Sequence, residues 1–500
     1  MKVVTILAAA AAALPAAQAI TLNGQKRDGL KVFELDIQRK QAADPVKASN
    51  KRFRNRKRGT VSQTLDNEET FYFANITLGT PAQKLRMTLD TGSSDLWVNT
   101  PNSTLCSAAN SPCSSSGTYD PSDSSTYSYV NSDFNITYAD GSSASGDYVK
   151  DTLVFGGKTL SDFQFGTGYT STSTQGVLGI GYGLNEVFVT SLSDTPYDNL
   201  PLALVDAGFI NVAAYSLWLN DLDSSTGSIL FGGVNAGKYT GELQSLPILQ
   251  ESGVYAEFYI TLTNISYKTS SDDSSTSVDT DLPAAVLLDS GSSLSYLPDS
   301  LVSEIYDAVG AEYSSQSGEA FAPCSLASSG GSINFTFTDP SIEVSFDELL
   351  FDVTDSRGNA LTFNDGTEAC VFGISPSGSS LGVLGDTFLR SAYVVYDLEN
   401  NEISLAQTDF NSTENEIKEI TSGSSGVPGA TYVTNAVTTL AAATGAAVNG
   451  GSDSSGTSTG FTSEATSSSS TSAAHRLQVS VGQASLGFLA AGAVLIATAL

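Results

Sequence analysis

Leu89-Asp90-Thr91-Gly92-Ser93-Ser94 recurs in the second half of the chain as Leu288-Asp289-Ser290-Gly291-Ser292-Ser293. Each copy follows an apolar run and leads into another: Leu96-Trp97-Val98 after the first, Leu294-Ser295-Tyr296-Leu297 after the second. Each half also carries a later hydrophobic-glycine segment, Val177-Leu178-Gly179 and Val383-Leu384-Gly385. A lone Asp-x-Gly is an ordinary turn. Its repetition with matched flanks and matched later segments describes two similar halves, each presenting one aspartate on a tight glycine turn.

Glycine at Gly92 and Gly291 removes the side chain that would hold two such turns apart. Hydroxyls at Ser93 and Ser292 can orient each carboxylate by hydrogen bonding. Two carboxylates about 3 Å apart cannot both ionise, so the pair keeps one proton and titrates as a unit. One carboxylate then serves as general base toward water, while the other donates a hydrogen bond to a scissile carbonyl and polarises it. Asp90 and Asp289 are the candidate catalytic pair, and this chemistry calls for no metal and no cofactor.

Working outward, short β-branched or aromatic runs alternate with Gly, Ser, Asp and Asn turns from about Phe71 to Phe410. Examples are Phe71–Leu78, Phe134–Tyr138, Asp151–Phe155, Ser228–Phe231, Tyr259–Leu262 and Ala392–Asp397. The pattern predicts an all-β body of many short strands, with one short helix over Ser300–Val309. A chain of 500 residues is too long for one core. We place an N-terminal lobe at 59–240 and a C-terminal lobe at 241–410.

Charge divides the chain. Residues 1–58 carry 13 of the 23 Lys and Arg but only 4 of the 53 Asp and Glu. The net charge of -30 argues against nucleic acid as a partner, since phosphate binding needs a positive surface. Residues 1–19 read as a secretory signal peptide: Lys2, the apolar run Val3–Leu14, then the small-x-small site Ala17-Gln18-Ala19. Residues 20–58 read as a basic propeptide that ends at Lys57-Arg58, the expected maturation site. Its basic groups are expected to pair with acidic groups around the active site. Four cysteines allow three pairings, of which the short loop Cys106–Cys113 is favoured, in keeping with an oxidising compartment.

Beyond Asn411 the composition turns to Ser, Thr, Gly and Ala. Residues 411–474 are expected to form a flexible stalk. Small residues near Ser472, a polar spacer and the apolar tail Leu486–Leu500 read as a GPI-attachment signal over 475–500, with Ser472 as the approximate acceptor. A membrane partner is therefore expected through a lipid. Asn75, Asn102, Asn135, Asn264, Asn334 and Asn411 head Asn-x-Ser/Thr triplets open to glycosylation. Other hydrolase classes fail on inventory. The single histidine, His475, lies in the segment expected to be discarded, so neither a Ser-His-Asp triad nor a histidine-bearing zinc site can be assembled.

These features resemble the pepsin-like aspartic endopeptidases. The resemblance covers roughly Phe71 to Phe410. It includes Leu78-Gly79-Thr80-Pro81, Asp90–Val98, Ile136-Thr137-Tyr138-Ala139-Asp140-Gly141-Ser142, Asp289-Ser290-Gly291-Ser292 and Leu384-Gly385-Asp386-Thr387-Phe388-Leu389. It implies an all-β bilobal fold with the active-site cleft between two similar lobes, acting on protein or peptide substrates, and a monomer is expected. It further implies that Tyr138 sits on a flap over substrate with Asp140 and Gly141 at its tip. Trp97 would support Tyr138, and Ser93 would hydrogen-bond Asp90. Asp386 would have no catalytic duty. Both Cys106–Cys113 and Cys324–Cys370 would be disulfides. Ala139 departs from the glycine that many members carry after the flap tyrosine.

The dibasic prosegment, stalk and lipid signal resemble the fungal GPI-anchored yapsin group, which implies cleavage beside Lys or Arg. Asp140 sits where some relatives pair with a basic substrate side chain; a solvated carboxylate at the flap tip is the equal alternative. A catalytically silent scaffold used for binding or inhibition is the alternative function, because fold alone does not set activity. A wall mannoprotein is a further reading, but it leaves both aspartate turns unexplained.

Overall fold

Each half folds its aspartate turn into the same three-stranded unit. In the first, the strand Gln83–Asp90 pairs in parallel with Gly176–Gly179, which pairs antiparallel with Leu96–Asn99. In the second, Ala284–Leu288 pairs in parallel with Gly382–Leu384, and Tyr296 of Ser295–Leu297 pairs antiparallel with Val383. The hydrophobic-glycine segments thus lie between the strand that ends in the aspartate and the strand that leaves its turn. From Met87 to the aspartate the first strand is wholly buried, as are the other strands but for Ala284, so largely apolar segments flank each turn.

The computed structural model describes residues 30–39 and 72–438, apart from 191–194, 225, 279, 316, 355–358, 379 and 424. The expected signal peptide, the Lys57-Arg58 site and the anchor signal with Ser472 and His475 lie outside the described residues. The body is mostly β. Strands of both halves meet in one long sheet, where Val394 of Ala392–Asp397 pairs with Leu217 of Ala214–Trp218. The helix Asp299–Val309 matches the expected one within a residue. It buries Leu301, Val302, Ile305, Tyr306 and Val309 and stops at Gly310, which takes a left-handed φ of 69°. Both disulfides form, Cys106–Cys113 and Cys324–Cys370, and no cysteine is free among the described residues.

Two boundaries need correction. The division at 240/241 falls inside the sheet strand Tyr239–Pro247, so the lobes share that element. Residues 411–438 are not part of a free stalk. Ile417–Glu419 pairs with Gly233–Asn235, and Ala430–Tyr432 adds a parallel strand beside Tyr239–Pro247. Ile420, Val427 and Val433 are buried, and Val437 N donates to Thr338 Oγ1 (3.0 Å). This strap covers what would otherwise be an open sheet edge.

Of residues 20–58, only 30–39 are described. Phe33–Arg39 is a strand between Thr226–Phe231 and the start of Tyr72–Leu78. Phe33, Leu35 and Ile37 point inward, with Phe33 stacked on Phe231 at 5.1 Å. Apolar burial and backbone pairing hold Phe33–Arg39, while Lys26, Arg27 and the basic residues from Lys40 to Arg58 lie outside the described residues.

Candidate active site

The two aspartate turns meet through backbone that has no room for a side chain. A Cβ on Gly92 would fall 2.6 Å from the Asp289 carboxyl carbon, and one on Gly291 would fall 2.4 Å from Asp90 Oδ1. Each carboxyl therefore rests on the other turn's glycine. Within each turn the glycine amide donates to its own aspartate: Gly92 N to Asp90 Oδ1 (2.8 Å) and Gly291 N to Asp289 Oδ1 (2.7 Å).

Thr91 and Ser290 lock the turns together. Ser290 N donates to Thr91 Oγ1 (2.9 Å), which itself donates to the Leu288 carbonyl (2.9 Å). In mirror fashion, Thr91 N donates to Ser290 Oγ (3.2 Å), which donates to the Leu89 carbonyl (3.1 Å). Both hydroxyls are buried in the seam between the halves. Sequence reasoning missed this role, although the same β-hydroxyl in both copies of the repeat was its signal.

The flanking serines differ. Ser93 Oγ donates to Asp90 Oδ2 at 2.5 Å, whereas Ser292 Oγ donates to the Leu294 carbonyl at 2.9 Å and braces its own backbone. The expected symmetry of the two serines is not reproduced in these bonds, because the second turn directs its hydroxyl along the chain.

The hairpin of Ser128–Thr137 and Ser143–Phe155 carries Tyr138–Ser142 at its tip. Tyr138 N bonds the Ser142 carbonyl (2.8 Å), and Gly141, at φ 77°, returns its amide to the Tyr138 carbonyl (2.8 Å). Only glycine takes that φ without strain. Trp97 Nε1 donates to Tyr138 Oη at 2.7 Å. Burial first, then the charge of Asp90, pushes the Tyr138 phenol well above its ordinary value, so it stays protonated beside the dyad. Asp140 is only 4% exposed, and its Oδ1 accepts from Ser142 N (2.6 Å). It is a turn-forming group, not a solvated carboxylate at the flap tip.

Behind Trp97 lies a second acidic group that the sequence did not disclose. Asp95 is fully buried and accepts from Tyr148 Oη, Tyr197 Oη and Val187 N, each at 2.8 Å. Burial raises its carboxyl despite these bonds. Glu186, also fully buried, is pushed up to about 9, by burial first and the charge of Asp95 second. Among the sequons, Asn102, Asn135 and Asn411 are exposed, while Asn75, Asn264 and Asn334 are half-buried.

Two β lobes that bring one aspartate each onto facing glycine turns define a paired-carboxylate peptide hydrolase. The chain belongs to the eukaryotic aspartyl protease family, whose pattern matches residues 71–408. It is a pepsin-like, aspartic-type endopeptidase. Among similar proteins, "Probable aspartic-type endopeptidase opsB" of Aspergillus oryzae is 57% identical over 437 residues, covering 87% of this chain and 88% of that one. Its namesake in Trichophyton verrucosum is 53% identical over 430 residues, covering 84% and 85%. "Secreted aspartic protease 5" of Candida albicans is 37% identical over 362 residues, covering 71% and 80%.

Proposed function

We propose that Asp90 and Asp289 hold one proton between them and hydrolyse peptide bonds in acidic surroundings. The reciprocal seating of each carboxyl on the other turn's glycine carries this reading. The ionised member takes a proton from water, and the oxygen attacks the scissile carbonyl carbon. The protonated member gives its proton to the carbonyl oxygen. The tetrahedral intermediate then returns a proton to the carboxylate pair while the pair protonates the amide nitrogen, and the carbon–nitrogen bond breaks. Tyr138, fixed by Trp97, closes over the substrate, and Ser93 keeps Asp90 in place.

The finer reading is a secreted, lipid-anchored enzyme of the yapsin kind, made as a zymogen and matured at Lys57-Arg58. Support comes from the leader-like residues 1–19, the terminal pattern around Ser472 and the relatives named as secreted proteases. Residues 439–474 form the stalk in this reading, and the exposed Asn102, Asn135 and Asn411 are the favoured glycan sites. A preference for Lys or Arg rests on the acidic character of the body and on Asp140. The testing experiment is peptide-library cleavage across acid pH, with and without pepstatin, on wild type and Asp140→Asn. Pepstatin-sensitive cleavage beside basic residues is the expected result. Cleavage that ignores pepstatin overturns the mechanism, and an unchanged preference in Asp140→Asn removes that residue from the specificity.

A further inference from the structure

The hairpin that carries Tyr138 has two unlike faces. One seats Phe134, Ala144 and Tyr148 in a buried cluster with Trp97. Successive side chains of a strand alternate between faces, so Ser145, Asp147 and Val149 belong to the other. Asn135 pairs opposite Ser145 and Tyr129 opposite Val149, and paired residues share a face. Asn135 and Tyr129 are both exposed there.

On this outer face two phenols are arranged around one carboxylate. Tyr169 Oη donates to Asp147 Oδ2 (2.7 Å), Ser132 Oγ donates to Asp147 Oδ1 (2.6 Å), and Tyr129 Oη lies 3.0 Å from Ser132 Oγ. The hydroxyl ends are fixed while the rings stay open to solvent, Tyr129 at 55% and Tyr169 at 36% exposure. A Cβ on Gly146 would fall 3.1 Å from Tyr169 Cδ2, so this ring lies beside the residue that follows Ser145, the partner of Asn135. Tyr129 stands further along, opposite Val149, about 13 Å from Ser145 at the usual strand rise.

Asn135 heads the triplet Asn135-Ile136-Thr137. An N-linked glycan begins with two N-acetylglucosamine rings, each with an apolar face of C–H groups. The negative face of an aromatic ring attracts such groups. An ionised carboxylate offers about four lone-pair sites. The bonds from Ser132 and Tyr169 leave Asp147 with further sites for sugar hydroxyls.

We propose that the outer face of the flap hairpin is a seat for the hairpin's own N-glycan. The sugars on Asn135 lie over Tyr169 and run toward Tyr129, with Asp147 accepting from their hydroxyls. The sequon identifies the occupant, because it stands on the same face beside the first ring. The seated glycan covers two exposed aromatic rings and braces the back of the hairpin whose other face packs on Trp97.

Asn135 carries a glycan in the reading proposed above, on which this seat depends. The deciding experiment maps the glycopeptides of the protein secreted from a yeast host. It then follows release of each glycan from the native protein by an endoglycosidase that cuts between the two core sugars. Asn135 is expected to be occupied. Its glycan should be released about three- to tenfold faster in Tyr169→Ala than in the wild type, the range of an aromatic stacking contact. Tyr169→Phe, which keeps the ring, should stay near the wild type, and release at Asn102 and Asn411 should not change. Asn135 bare beside an occupied Asn102 or Asn411 would overturn the proposal. So would equal release in Tyr169→Ala and wild type, or release hastened alike at every site. A protein bare at all three would overturn the glycan reading beneath it as well.

Discussion

Thr91 and Ser290 bind each other's turns in both directions, so that each hydroxyl accepts the partner's amide and donates to the carbonyl before the partner's aspartate. The aspartates are thereby spaced by backbone geometry on both sides of the seam. Their own side chains need do little to hold the spacing, and remain available for proton transfer.

Removing one of these hydroxyls leaves a buried amide and a buried carbonyl without partners. Thr91→Val or Ser290→Ala should each lower stability by about 2–3 kcal/mol, at about 1–3 kcal/mol per buried group left unmade and partly offset by relaxation. Thr91→Ser, which keeps the hydroxyl, should remain near wild type. Denaturant unfolding at acid pH measures both, and a Val variant as stable as wild type would contradict the locking role.

The Trp97–Tyr138 bond gives a prediction for catalysis. Tyr138→Phe leaves the Trp97 N–H without its acceptor and frees the flap tip. A loss of about tenfold in kcat/KM is expected, the equivalent of about 1.4 kcal/mol. Trp97→Phe should lose at least as much, and steady-state kinetics on one peptide compares them. An unimpaired Tyr138→Phe would show that the flap is placed by its backbone alone.

The Asp95–Glu186 group governs stability against pH. Glu186 has an ordinary value of 4.5 and about 9 in the fold, so the folded chain retains a proton that the unfolded chain has lost. Stability is full below about 4.5 and falls as pH rises toward about 9, by about 1.4 kcal/mol per pH unit from this group. Asp95, raised by burial, adds a fall of the same sign. Glu186→Gln should flatten the decline. Melting temperatures between pH 4 and 8, about the range in question, check this; equal slopes for variant and wild type would refute it.

The strap beyond residue 410 should be needed for a stable body. Ile420→Ala empties a fully buried site and is expected to cost about 2–4 kcal/mol. A chain ended after residue 410 should also bare the sheet edge at Tyr239–Pro247 and aggregate on refolding. Light scattering and unfolding curves report both effects.

Much of the site could be read from the sequence because it is duplicated. Asp90 and Asp289 sit in repeated strings, and the segments Val177–Gly179 and Val383–Gly385 were visible as a matched pair before their parallel pairing was known. Asp95 lies just past the repeat, where the second half has Leu294, and its burial by distant Tyr148 and Tyr197 leaves no local mark. The strap hid in Ser- and Gly-rich composition, with its few apolar anchors, Ile420, Val427 and Val433, at no regular period. Phe33, Leu35 and Ile37 do alternate with polar residues as a strand should, but the basic charge around them drew the reading elsewhere.

The central claim is that neither carboxyl works without the other. The most direct measurement is kcat for Asp90→Asn, Asp289→Asn and the double variant on one peptide at acid pH, each first shown to be folded. Groups that act as one unit lose nearly everything with the first substitution. Each single variant should fall by about a thousandfold or more, and the double should fall no further. A single variant that keeps a sizeable share of activity, or losses that multiply in the double, would contradict the account.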